Sequence, residues 1–173
     1  AEFWSWGLRM QRSLVLLMLW PIAAFATPAA ADDWQDCQGE NTEIRIKACS
    51  SVILTGGLSA TKASSVFNQR GRSFHAKGDY DHALEDYDEA IRLNPKSVAA
   101  FNNRGLTYDA KQNSDRALAD YTEALKLNPK YFHSYNNRGL ILHARREYDQ
   151  AISDFTAALH NNPQYKFAYN NRG

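Results

Sequence analysis

The sequence predicts an all-α fold in which two-helix units stack along one axis, and three observations carry that prediction. First, Asn102-Asn103-Arg104-Gly105 recurs as Asn136-Asn137-Arg138-Gly139 and Asn170-Asn171-Arg172-Gly173, with Asn68-Gln69-Arg70-Gly71 as a looser copy. Gly71, Gly105, Gly139 and Gly173 therefore fall 34 residues apart. Second, each period holds two stretches whose apolar residues return at helical spacing. Third, successive periods close on Asn94-Pro95, Asn128-Pro129 and Asn162-Pro163. A fixed period of this length marks a repeat whose single unit cannot bury its apolar face alone, so the units must stack.

Ahead of the repeats, residues 1–31 read as upstream residues and an export signal. Arg9 and Arg12 precede the apolar run Leu14 to Trp20, and small residues continue through Ala29-Ala30-Ala31 to Asp32, so cleavage is expected after Ala31. Pro21 breaks the run short of the ~20 apolar residues of a membrane span, which favours a signal over an anchor. Met10, directly before Gln11-Arg12, is a more natural start than Ala1. The expected location is periplasmic or secreted. With 44% hydrophobic and 23% charged residues, the chain has the composition of a folded protein. Removing residues 1–31 takes Glu2, Arg9 and Arg12 from totals of 19 acidic and 20 basic residues, which leaves a formally neutral chain. Neither nucleic acid nor membrane is an expected partner after cleavage, because no basic footprint remains.

Residues 32–63 hold the only cysteines, Cys37 and Cys49. Export to an oxidising compartment predicts that they form a disulfide, whose loop closure contributes about 3 kcal/mol. Twelve residues apart, they lack the Cys-x-x-Cys arrangement of a redox pair, and with His75 the nearest histidine they make no zinc site. Ile46, Cys49, Val52 and Ile53 share the spacing of Leu84, Tyr87, Ala90 and Ile91, and Gly56-Gly57 ends the pattern. The segment is expected to be a half-repeat that caps the stack.

The repeats proper are expected at 64–97, 98–131 and 132–165, with the start of a further one at 166–173. Counting from Ser64, Val98, Phe132 and Lys166, the fourth positions are Phe67, Phe101, Tyr135 and Tyr169, and the eleventh are Phe74, Tyr108 and Leu142. Together with the glycine at position 8 they form one helix face. A second helix carries Ala83-Tyr87-Ala90, Ala117-Tyr121-Ala124 and Ala151-Phe155-Ala158 at i, i+4, i+7. Gly71, Gly105 and Gly139 are expected to face Ala83, Ala117 and Ala151 and let the helix axes approach closely. Gly78-Asp79 marks a turn, and Pro95, Pro129 and Pro163 stop the second helices.

These aromatic-Gly-aromatic, Ala-aromatic-Ala and terminal Pro positions resemble the tetratricopeptide repeat family over roughly residues 64–173. The resemblance implies a right-handed α-solenoid of helix-turn-helix repeats, here with an N-terminal capping helix pinned by its disulfide. Departures fall at position 17, which is Tyr80 and Tyr148 but Ser114, and at the turn, where Gln112 and Arg146 replace Gly78. The Asp-Cys lead-in and the Cys-x-x-Val-Ile helix further resemble bacterial periplasmic members.

By the same resemblance, the first helix of each unit lines a concave surface that binds a protein or extended peptide. Position 5 places Asn68, Asn102, Asn136 and Asn170 there, and position 6 places Gln69, Asn103, Asn137 and Asn171. Position 9 adds Arg72, Leu106 and Leu140, and position 12 adds His75, Asp109 and His143. The amides have two readings: they can bind a peptide backbone, or they can bond neighbouring helices and water. The carboxylate clamp of chaperone-binding members fits poorly, since only Asn103 matches. Arg70, Arg104 and Arg138 are in register with Asp86, Asp120 and Asp154 in the second helices, which predicts structural ion pairs. No phosphate loop, catalytic triad or paired carboxylates are discernible, so no catalysis, cofactor or metal is expected. The expected role is a non-catalytic binding scaffold. Its rivals are the assembly module of a longer chain cut at Gly173, an enzyme or an envelope machine, and end-to-end self-association through Tyr165, Phe167 and Tyr169.

Overall fold

The computed structural model describes residues 28–172. The signal expected over residues 1–31 lies outside the described residues as far as position 27, as does Gly173. The helices run in the order α1 Pro28–Gln38, α2 Thr42–Thr55, α3 Ala60–Ala76, α4 Tyr80–Leu93, α5 Val98–Ala110, α6 Ser114–Leu127, α7 Phe132–Ala144, α8 Tyr148–Asn161 and α9 Lys166–Arg172. Consecutive helices pack together, and so do α3 with α5, α5 with α7, α7 with α9 and α1 with α3. The result is an α-solenoid. Its first helices α3, α5, α7 and α9 form one layer and its second helices α4, α6 and α8 the other.

Local chemistry explains where these helices begin and end. Asp79 and Asn113 cap α4 and α6 by accepting hydrogen bonds from the His82 and Arg116 amides, while Glu147 makes no side-chain cap on α8. Between paired helices the chain turns through one left-handed residue, Gly78 (φ 77°), Gln112 (φ 62°) or Arg146 (φ 64°). Each turn closes with the same long backbone bond, from Asp79 to Phe74, from Asn113 to Tyr108 and from Glu147 to Leu142. Losing the glycine therefore leaves the turn geometry unchanged and moves the cost into two strained side-chain-bearing residues. At the Asn-Pro ends, Asn94, Asn128 and Asn162 accept from the amides of Lys96, Lys130 and Gln164, which explains why asparagine precedes each proline.

Two features differ from the sequence expectation. Helix α3 starts at Ala60, a turn before Ser64, because Ser59 caps it. The N-terminal cap is a two-helix hairpin rather than a half-repeat: Asp32 to Gln38 is helical too, and the Cys37–Cys49 disulfide ties α1 to α2. Both cysteines are buried with Ala48, Val52 and Val66, against Trp34, Ile53 and Leu58.

The helix crossings also correct a predicted contact. The ring atoms of Tyr87, Tyr121 and Phe155, not the alanines, lie nearest to where a Cβ on Gly71, Gly105 and Gly139 would sit, at 2.8, 2.8 and 2.7 Å. The bare glycine backbone is the floor on which each ring lies. Ala83, Ala117 and Ala151, all buried, pack one helical turn before those rings. Small residues on both sides of the ring are what let each helix pair close.

Candidate binding groove

Successive first helices are joined by an unbroken row of asparagine side chains. Asn171 Nδ2 donates to Asn136 Oδ1 (3.0 Å), Asn136 to Asn137 (3.4 Å), Asn137 to Asn102 (3.3 Å), Asn102 to Asn103 (3.4 Å) and Asn103 to Asn68 (2.9 Å). At position 5, Asn102 and Asn136 point toward the neighbouring first helix and are buried, each 4% exposed, while Asn68 is half-buried. Asn102 Oδ1 accepts from Ser134 Oγ as well (2.9 Å), so both its lone pairs are taken. Asn102 and Asn136 thus bond helix to helix. Asn103 and Asn137 remain half-buried, and each spends one of two N–H donors in the row. Asn170 is exposed on α9.

Beside this row an open pocket of about 500 Å³ spans α3, α5 and the start of α7. Asn68, Asn102, Asn103 and Asn137 supply its amides, Leu106 and Ala99 its apolar floor, and Arg72 its single guanidinium. Arg72 is exposed and bonds Gln69 Oε1 at 3.0 Å. Tyr131 and His133 close one end with their rings 5.4 Å apart, and burial raises the Tyr131 hydroxyl above its ordinary pKa. Tyr131 escapes the sequence reading because it precedes α7, outside the helical groove positions. The departure from Ser97, its counterpart one period earlier, was the available signal.

The position-12 residues sit to one side. The His75 ring lies 5.4 Å from Tyr80, and its Nδ1 donates to Thr107 Oγ1 (2.9 Å), whose own hydroxyl proton goes to the Asn103 carbonyl (2.9 Å). Burial lowers the His75 pKa, which keeps the ring neutral. With Arg72, Tyr87, Asn103 and Leu106, His75 lines a smaller recess of about 120 Å³. His143 likewise lies 5.4 Å from Tyr148. In the middle unit, Asp109 and Ser114 replace this His-Tyr pair, and Asp109 is exposed.

The arginines that follow the amides turn the other way. Arg70, Arg104 and Arg138 each hold both oxygens of Asp86, Asp120 and Asp154 at 2.7–2.9 Å. The paired bonds raise the Arg104 and Arg138 pKa values. Burial raises the Asp86 and Asp120 carboxyls against the pull of their arginines. Desolvation and attraction thus work against each other. Such pairs orient the two helices more than they stabilise them.

Family models of the tetratricopeptide repeat match residues 71–112 and residues 103–166. The chain belongs to the tetratricopeptide repeat family. Among solved structures, the Arabidopsis OM64 tetratricopeptide domain is 28% identical over 65% of this chain and 93% of that one, with a TM-score of 0.62. The second tetratricopeptide domain of human RPAP3, in complex with the HSP70 peptide SGPTIEEVD, is 25% identical over 65% and 92%, with a TM-score of 0.59. MamA, at 18% identity over 80% and 78% and a TM-score of 0.68, shares the fold. The comparison with curated proteins gives no match. Tetratricopeptide domains are protein- and peptide-binding scaffolds, generally without catalysis of their own.

Proposed function

We propose that this protein is a non-catalytic scaffold of the bacterial cell envelope that binds an extended peptide segment along α3, α5 and α7. The observation that carries this reading is the pocket of about 500 Å³ beside the asparagine row, where half-buried amides alternate with Leu106, Ala99 and Arg72. The spare N–H groups of Asn103 and Asn137 suit backbone carbonyls one repeat apart, and Leu106 suits an apolar side chain between them. The RPAP3 domain, seen with an HSP70 peptide, supports a peptide as the class of ligand. With Arg72 the pocket's single guanidinium, an acidic tail is less suited than a segment of mixed character. The envelope setting is supported by the Arg9, Arg12 and Ala29-Ala30-Ala31 pattern and by the buried disulfide.

Replacing Arg72 and Leu106 with glutamate tests the groove without touching the asparagine row. Pull-downs from envelope extract with wild type and the R72E/L106E variant are expected to differ by the loss of one partner, with unchanged circular dichroism. Equal recovery of that partner by both would sink the groove reading. N-terminal sequencing of protein from fractionated cells tests export, for which an N-terminus at Asp32 in the periplasmic fraction is expected. A second reading is self-association through α9, where Phe167 is 67% exposed. Light scattering that shows one mass at all concentrations rules it out.

A further inference from the structure

The three motif arginines are not covered alike. The Arg70 guanidinium lies between the rings of Phe67 (5.5 Å) and Phe74 (5.9 Å), and Arg104 lies between Phe101 (5.5 Å) and Tyr108 (6.0 Å). Arg138 has Tyr135 on one side at 5.8 Å, but the second ring position is Leu142. Two further substitutions fall at the same place. Arg116, whose guanidinium lies 5.4 Å from the centre of the Tyr108 ring, becomes Gln150 one period later. Asp88, which takes Arg104 Nη1 at 2.6 Å, becomes Thr122, to which Arg138 Nη1 donates at 3.3 Å.

Where those groups are missing, a pocket of about 490 Å³ opens between α6, α7 and α8. Leu118 and Leu142 line it with Arg138 and Arg145, and the polar groups of Thr122, Gln150 and Ser153 and the carboxylates of Glu147 and Asp154 complete the wall. It shares no residue with the groove on the asparagine side.

We propose that this pocket is a second docking site, which takes a tyrosine or phenylalanine side chain from a partner protein, its ring on Arg138 where the Tyr108 ring lies on Arg104. The repeat itself specifies the shape of the occupant. The open face of one guanidinium and the neighbouring Arg145 present positive charge to the negative face of a ring, while the two leucines receive its edge. An anionic group fits less well, because Asp154 already occupies Arg138 and Asp115 holds Arg145 at 2.7 Å. An aliphatic side chain fills the same space without the attraction between cation and ring.

The test uses the full chain with leucine methyl groups labelled for NMR, titrated with acetylated, amidated Gly-Ser-Tyr-Ser-Gly and with the same peptide carrying Leu in place of Tyr. The tyrosine peptide is expected to move the Leu118 and Leu142 methyl signals upfield and to bind about tenfold more tightly than the leucine peptide. Rebuilding the cover of the preceding repeat, in the L142Y/Q150R variant, is expected to remove tyrosine-peptide binding while circular dichroism and the Leu106 signals stay unchanged. The wild-type titration decides even where that variant misfolds. Equal binding of the two peptides, no shift at Leu118 and Leu142, or a shift confined to Leu106 in the groove overturns the proposal.

Discussion

A methyl group on Gly105 meets the Tyr121 ring at 2.8 Å, and that ring is fully buried, so it must shift within the core to make room. Gly105→Ala is therefore expected to lower unfolding free energy by about 1–3 kcal/mol in urea titration, the range for overpacking a core. The tyrosine itself is less well served than its counterpart. Tyr87 lines the recess beside His75, with Thr107 as its polar neighbour, but one period later that neighbour's position is Ile141, and Tyr121 OH is buried without a hydrogen bond. Tyr121→Phe should thus raise stability by about 1 kcal/mol while Tyr87→Phe lowers it by a similar amount, because only the first removes an unsatisfied group. Equal effects in thermal melts of the two variants would contradict this account. Arg104→Leu strands a buried carboxylate and is expected to cost about 3 kcal/mol, with much of it recovered when Asp120 is changed to leucine as well. If instead Arg104→Leu left melting intact and abolished partner binding, the arginine would belong to a binding surface.

At the level of helices and turns, the period carries more information than local propensity. Nothing in Gln112 or Arg146 announces a left-handed conformation; their alignment with Gly78 does, and each adopts it. Arg146→Gly is expected to raise the urea midpoint by about 1 kcal/mol equivalent, since the strain of the left-handed residue disappears and its cost in unfolded-chain entropy is smaller. Helix pairs α3 to α8 were legible because aromatic, glycine and alanine positions agree three times over. Helix α1 was not, because its burial rests on Trp34 and Cys37, and a short helix of that kind is stabilised by the helix it packs on and not by its own sequence. The groove was legible to the same degree. Residue types placed the amides at positions 5 and 6, but whether they face a partner or one another depends on the spacing of successive first helices, which no pattern within one helix encodes.

At the scale of the whole molecule, contacts among the described residues run between neighbours in the stack and nowhere further. Stability is then a sum of units and interfaces, so damage stays local. Replacing Cys37 and Cys49 with alanine is expected to lower stability by about 3 kcal/mol. Hydrogen exchange should speed up in α1, α2 and the start of α3 while α7 and α8 keep their protection. Uniform loss of protection would show that the stack unfolds as one block. One feature does run the length of the stack without interruption. From Asn171 on α9 each carboxamide donates to the next one along the row, until Asn68 on α3 only accepts. The row has a head and a tail, and a peptide laid beside it meets a track whose dipoles distinguish its two directions.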